Sequence, residues 1–286
     1  MHNESRGNRI FAPAFLENTD RMSMLSPKEI VAYAGKAAID KGAYGFKKVM
    51  VLSFLAGVYI SMGGLLSILF GYGFPGVAAA NPGIVKLFMG AAFPVGLMLV
   101  VLAGAELFTG NCAYFIPNTM SGRQPWSTAF RNWGLVWTGN FIGALFFAYF
   151  LVHLTGISHY EPWLSGIEKI AVAKTSNPFF VTFLKGVGAN WLVCLAMWLG
   201  MSAKDTTGKI LGIWWPVMTF VAIGYEHCIA NMFFIPLAMM EGADISMYDL
   251  FIKNLLPATL GNIAGGALFV GGLYWYVYEK LDKTKK

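Results

Sequence analysis

Charge is scarce in this sequence. Only 13% of its 286 residues are Asp, Glu, Lys or Arg, against about a quarter in an ordinary soluble chain. So few charges point away from a soluble chain, and the six spans that the apolar runs predict rule out a soluble binding module. Cysteine is scarce as well. Cys112, Cys194 and Cys228 all fall in apolar runs and form no CxxC pair. That removes a disulfide framework and a zinc knuckle, and buried thiols are expected. There are four histidines and no HExxH pair, the two-histidine zinc signature of metalloproteases. The first 27 residues carry no apolar core of about 7–15 residues ahead of a small-residue cleavage site, so no signal peptide is expected. No stretch combines basic and aromatic residues as a nucleic-acid surface would.

Long apolar runs are what the chain has instead. Apolar residues make up 56% of it, and its mean hydropathy is +0.56. Residues 49–85, 87–105, 132–160, 186–203 and 254–278 carry no charge, and 211–240 carries only Glu226. A membrane helix needs about 20 mainly apolar residues. The runs predict an all-α membrane protein with six spans near 48–71, 86–117, 130–154, 178–202, 211–240 and 254–278. Ser26 followed by Pro27 predicts the start of a further helix before the first span, lying at the cytoplasmic surface. The domain plan is an N-terminal segment 1–47, a membrane domain 48–278 and a basic tail 279–286. With six spans, thirteen of the Lys and Arg near the spans fall on the side of the termini, and only Lys86, Lys169, Lys174 and Lys253 on the other. Positive charge stays inside, so both termini are expected in the cytoplasm of a cell-membrane protein.

The chain also repeats itself. ELFTGNCAYFIP at 106–117 matches EHCIANMFFIP at 226–236, each with Glu, Asn five residues on, and an aromatic-Ile-Pro ending. RNWGLVWTGNFIGALF at 131–146 matches KNLLPATLGNIAGGALF at 253–269, each with two Asn eight apart. The copies span about 48–154 and 178–278. Three helices per copy is odd, so the second copy enters from the opposite face, an inverted 3+3 repeat. Such folds place a site near the midplane, where one helix of each copy is broken. The polar interruptions put the breaks in the second helix of each copy, and exposed N–H groups there suit an anion.

Glu106 and Glu226 recur symmetrically, as do Asn111 with Asn231 and Asn140 with Asn262, which favours bracing of the broken helices. His227 is different, because its counterpart is Leu107. An ionisable residue inside a span marks a pathway more often than a scaffold. Consecutive Glu226, His227 and Cys228 point about 100° apart on a helix, a poor set for an intramembrane metal enzyme, the remote alternative. His2, His153 and His159 lie near termini or span ends and read as bystanders. Lys185 has no assigned role, and NPG at 81–83 reads as a turn between helices.

These motifs, with Asn190 in GANWLVCLAMW and the ending LGNIAGGALFVGGLYWYVY, resemble the formate/nitrite transporter family over about residues 30–280. The resemblance implies an aquaporin-like fold, a homopentamer with a pore in each protomer, and passage of small monovalent anions with no cofactor or metal. It implies that His227 is the central pore histidine, opposite Thr109, with Lys174 in the outer vestibule and Asn190 in the pore. Phe93 and Phe220 would constrict the pore on one side of the histidine, and Leu97, Leu107 and Val193 on the other. These residue types fit the formate branch; nitrite or hydrosulfide through the same fold is the alternative. Lys174 would attract the anion and His227 would donate a proton or a hydrogen bond to it.

Overall fold

The computed structural model describes residues 24–283. His2, the tail lysines Lys285 and Lys286, and most of the segment searched for a signal peptide lie outside these residues. Among the described residues the regular structure is helical, apart from one isolated bridge pairing Met24 with Ala203. Six helical stretches are long and apolar enough to cross a membrane: Phe46–Tyr72, Pro82–Ala103, Trp126–His153, Phe179–Ser202, Thr206–Ile223 and Asp249–Lys280, called spans 1 to 6 in that order. The protein is a multi-pass membrane protein.

Spans 2 and 5 end earlier than the apolar runs do. Span 2 stops at Ala103, and residues 108–120 continue as short helices, Phe108–Tyr114 and Ile116–Met120. Span 5 stops at Ile223, and the half-helix Cys228–Met240 follows. Both stops are left-handed glycines, Gly104 at φ 82° and Gly224 at φ 85°. A residue with a Cβ adopts that conformation only at a cost, so glycine ends the helix here. Leu107 and His227 then run extended before the next helix begins. Hydropathy sees composition only, which is why each broken element reads as one run. Span 3 begins four residues before its expected start, at Trp126. Span 6 begins at Asp249, where Ser246 and Asp249 cap one another: the Ser246 N–H donates to the carboxylate (2.9 Å) and the Asp249 N–H to the hydroxyl (3.2 Å).

Besides the half-helices and the short helix Pro75–Ala80, two longer helices lie outside the spans. The helix Pro27–Ala43 was expected, and its cap is a reciprocal pair. Ser26 donates to the Glu29 carboxylate through its hydroxyl and its N–H, which holds that carboxyl below its ordinary range. The helix Trp163–Thr175 was not expected, because charges interrupt it. It is amphipathic, with Ile167, Ile170 and Ala171 buried on one face.

The spans cross closely where they carry glycine. A Cβ on Gly57 would meet the Asn140 carbonyl, and one on Gly143 the Phe54 carbonyl, so spans 1 and 3 touch backbone to backbone. Gly261 and Gly265 do the same for span 6 against the Phe183 and Val187 carbonyls of span 4. Small residues permit this approach in a membrane, where packing rather than water expulsion drives association. Gly143→Leu or Gly265→Leu is expected to lower the thermal midpoint in detergent, with an overpacking cost of at least about 1–3 kcal/mol. Gly134→Ala, where a Cβ meets nothing within 4 Å, is the control and should melt like the parent. Equal midpoints for all three would contradict the close crossing.

Candidate functional site

The two breaks leave backbone groups without helical partners at membrane depth, and the same side chains satisfy them twice. At the first, Asn140 Oδ1 accepts from Phe108 N–H (3.0 Å), and its Nδ2 donates to the Ser53 and Glu106 carbonyls (2.7 and 2.9 Å). At the second, Asn262 Oδ1 accepts from Cys228 N–H (2.8 Å), and its Nδ2 donates to the Gly186 and Glu226 carbonyls (2.8 and 2.9 Å). Glu106 N–H and Glu226 N–H reach the Leu52 and Lys185 carbonyls of spans 1 and 4. An amide side chain with one acceptor and two donor hydrogens suits a break that exposes one N–H and two C=O groups.

Each glutamate is then neutralised in place. Glu106 accepts from Lys41 Nζ and from Asn111 Nδ2 (2.8 Å), and Asn111 also donates to Asn132 (2.8 Å). Glu226 accepts from Lys174 Nζ (3.1 Å), Asn231 Nδ2 (2.7 Å) and Asn254 Nδ2 (3.2 Å), and Asn231 also donates to Asn254 (2.7 Å). The carboxylates are almost fully buried. Lys41 and Lys174 each stand in the last turn of the helix that precedes spans 1 and 4. The duplicated contacts therefore begin one helix before residues 48 and 178.

The halves differ where they meet. His227 Nδ1 accepts from Ala230 N–H (3.2 Å), and its Nε2 lies 2.9 Å from Thr109 Oγ1. A ring nitrogen that accepts carries no proton, so in the neutral imidazole the proton sits on Nε2 and points at Thr109. Asn190 lies behind this pair, with its Nδ2 given to the Thr109 carbonyl (3.1 Å) and to the Asn262 carbonyl. It ties one broken helix to span 6 and lines neither cavity described next.

Two lysine-lined cavities lie beside the breaks, and the first of them reaches the pair. One, of about 530 Å³, is lined by Lys86, Lys169, Lys174 and Lys185 with the single carboxylate Glu226, and ends at Phe93, Phe220 and His227. The other, of about 430 Å³, is lined by Lys41, Lys204 and Lys209 with Glu106. A gap walled by Phe93, Leu97, Leu107, Val193, Phe220 and His227, with Ile60 and Val217, has no room for a water molecule. Phe93 and Phe220 meet edge to face at 5.7 Å, and Phe220 lies 5.7 Å from the His227 ring.

The structure thus brings together His227, Thr109 and the five apolar residues, and it sets Asn190 behind them. Lys174 lines the larger cavity but is held by Glu226 rather than standing free. The half-helix amides of Phe108, Cys228 and Ala230, expected to face an anion, are taken by Asn140, Asn262 and His227. Glu226 and His227 turn to different partners, so with Cys228 they form no convergent ligand set. Lys41 was missed as the partner of Glu106. It is 65 residues from Glu106, whereas Lys174 is 52 from Glu226, so aligning the spans gives it no counterpart. The signal was the shared position one helix ahead of each copy. Breaking a buried ion pair by removing one partner costs about 3–5 kcal/mol. Lys174→Met should cost stability of that order, read as a lower melting midpoint, and Lys174→Met with Glu226→Gln should recover much of the loss. Equal melting of the two variants would contradict the buried pairing.

Residues 28–276 match the family described as formate/nitrite transporter. The chain is similar to a probable formate transporter of Methanothermobacter thermautotrophicus, 46% identical over 275 residues, covering 90% of this chain and 98% of that protein. Among solved structures it is similar to an FNT family ion channel, 32% identical with a TM-score of 0.79, covering 87% of this chain and 98% of that one. It is likewise similar to a pentameric formate channel with formate bound, 33% identical with a TM-score of 0.72, covering 86% of this chain and 99% of that one. With six spans, two broken helices and a match across most of its length, the chain belongs to the formate/nitrite transporter family.

Proposed function

We propose that this protein is a formate channel of the cell membrane, assembled as a homopentamer with a pore in each protomer and both termini in the cytoplasm, and that formate crosses it together with a proton. On this reading the channel domain runs over residues 48–278, as two inverted copies. The observation that carries the reading is the His227–Thr109 pair, set between a lysine-lined cavity and a gap too narrow for water.

The steps follow from charge and hydration. Lys169, Lys185 and Lys86 give the larger cavity a positive lining that concentrates a small anion. At Phe93 and Phe220 the anion must shed water, and an unpaired charge in low dielectric is prohibitive. The Nε2–H of His227 and the hydroxyl of Thr109 stand at that boundary as donors, exchanging their mutual bond for bonds to the carboxylate. Desolvation raises the basicity of a carboxylate. The held formate then takes a proton from the water of the cavity and passes Leu97, Leu107 and Val193 as the neutral acid. Lys41, Lys204 and Lys209 favour the anion again on the far side. His227 acts here as a hydrogen-bond donor, because protonating Nδ1 would break its bond from Ala230.

Two outcomes are expected in proteoliposomes given formate, nitrite, hydrosulfide or lactate side by side at two pH values. Formate moves fastest, and its uptake rises at the lower pH, where protons are more available. His227→Ala loses about tenfold or more of the flux, the worth of one hydrogen bond to a charged group. Faster nitrite or hydrosulfide would overturn the substrate, and undiminished flux in the variant would overturn the role of His227.

A further inference from the structure

The half-helix that His227 caps ends, at its far end, in a cluster the pore does not use. His153 closes span 3, Ser158 and His159 follow in the next turn, and Glu241 caps the half-helix. The Glu241 side chain is 6% exposed. Its Oε1 accepts from Ser158 Oγ at 2.7 Å and stands 2.9 Å from His153 Nδ1. Its Oε2 stands 3.5 Å from His159 Nε2. Gly156, left-handed at φ 73°, turns the chain so that His159 faces back onto the carboxylate. One ligand atom from each of the three residues lies within 4.8 Å of the others.

Hydrogen bonding explains only part of this. Ser158 and His153 satisfy one oxygen, but His159 lies beyond the usual N–H···O range of about 2.7–3.2 Å while still aimed at the other. We propose that His153, His159 and Glu241 bind a divalent transition-metal ion of the zinc type, leaving one coordination position to water. Two imidazole nitrogens and a carboxylate oxygen are a donor set for zinc and its neighbours. Bonds of about 2.0–2.1 Å set tetrahedral ligand atoms about 3.3 Å apart; His153 meets one carboxylate oxygen at 2.9 Å and His159 the other at 3.5 Å, so a bound ion turns the carboxylate to bring one oxygen between the two rings. The ion replaces the proton between His153 and Glu241 and draws His159 inward. Ser158, donating to Glu241, orients the carboxylate as outer-shell donors do for metal ligands. Bound metal would join the end of span 3 to the end of the half-helix whose first residues hold His227. None of the three ligands lines either lysine-rich cavity, so the site is separate from the anion path.

The test uses the purified full chain, freed of any affinity tag and treated with chelator, then titrated with Zn2+. Metal analysis after desalting and the thermal midpoint are both read. The parent should hold a single Zn2+ per chain and melt higher with it. Binding should weaken in acid, because protons compete for the same nitrogens. His153→Ala and His159→Ala should each lose affinity by at least about tenfold while still conducting formate. Glu241→Gln, which keeps an oxygen for Ser158, should lose it too, and His227→Ala should bind zinc as the parent does. The absence of bound zinc in the parent would overturn the proposal. So would unchanged stoichiometry and affinity in the double variant His153→Ala/His159→Ala.

Discussion

In a membrane interior every backbone N–H and C=O must find a partner inside the protein, because there is no water to supply one. This chain breaks two helices at that depth, and the bonds made by Asn140 and Asn262 are what make the breaks tolerable. Each asparagine takes one amide and covers two carbonyls. Without them the glycine stops at 104 and 224 would leave groups that cost about 1–3 kcal/mol each to bury unpaired. The close crossings at Gly57, Gly143, Gly261 and Gly265 serve the same end, since they bring the spans near enough for one short side chain to reach two neighbours.

Once both halves share this frame, the places where they differ are informative. Leu107 and His227 occupy equivalent extended positions, and one is a wall while the other is a donor. Pairing of Glu106 with Lys41 and of Glu226 with Lys174 cancels the charge of the two buried carboxylates. The remaining lysines are left in the cavities on either side. In the proposed channel that arrangement separates two tasks. Exposed positive charge gathers the anion, and a dry apolar gap refuses it until its charge is gone.

Much of this was legible before any coordinates. Six spans followed from uncharged runs, and the repeated Glu–Asn and Asn–Asn spacings marked both breaks. His227 stood out because its counterpart is a leucine. Besides Lys41 and the helix Trp163–Thr175, three things were hidden, each for a physical reason. The stops at Gly104 and Gly224 lie inside apolar runs and do not change hydropathy. Asn190 reads as a polar residue in a span, and only its bonds to the Thr109 and Asn262 carbonyls reveal it as a brace. His153 and His159 looked unrelated to Glu241, which is 88 residues from the first of them, because no spacing rule joins a span end to a half-helix cap.

The most direct measurement is of the charge that moves with formate. Labelled uptake, internal pH and membrane current can be recorded on one preparation of proteoliposomes. If the dry gap passes only the neutral acid, uptake brings one proton with each formate and no current flows. A steady current carried by formate with no acidification would mean that the bare anion crosses between Phe93, Phe220 and Leu107, and it would contradict the proposed mechanism at its centre.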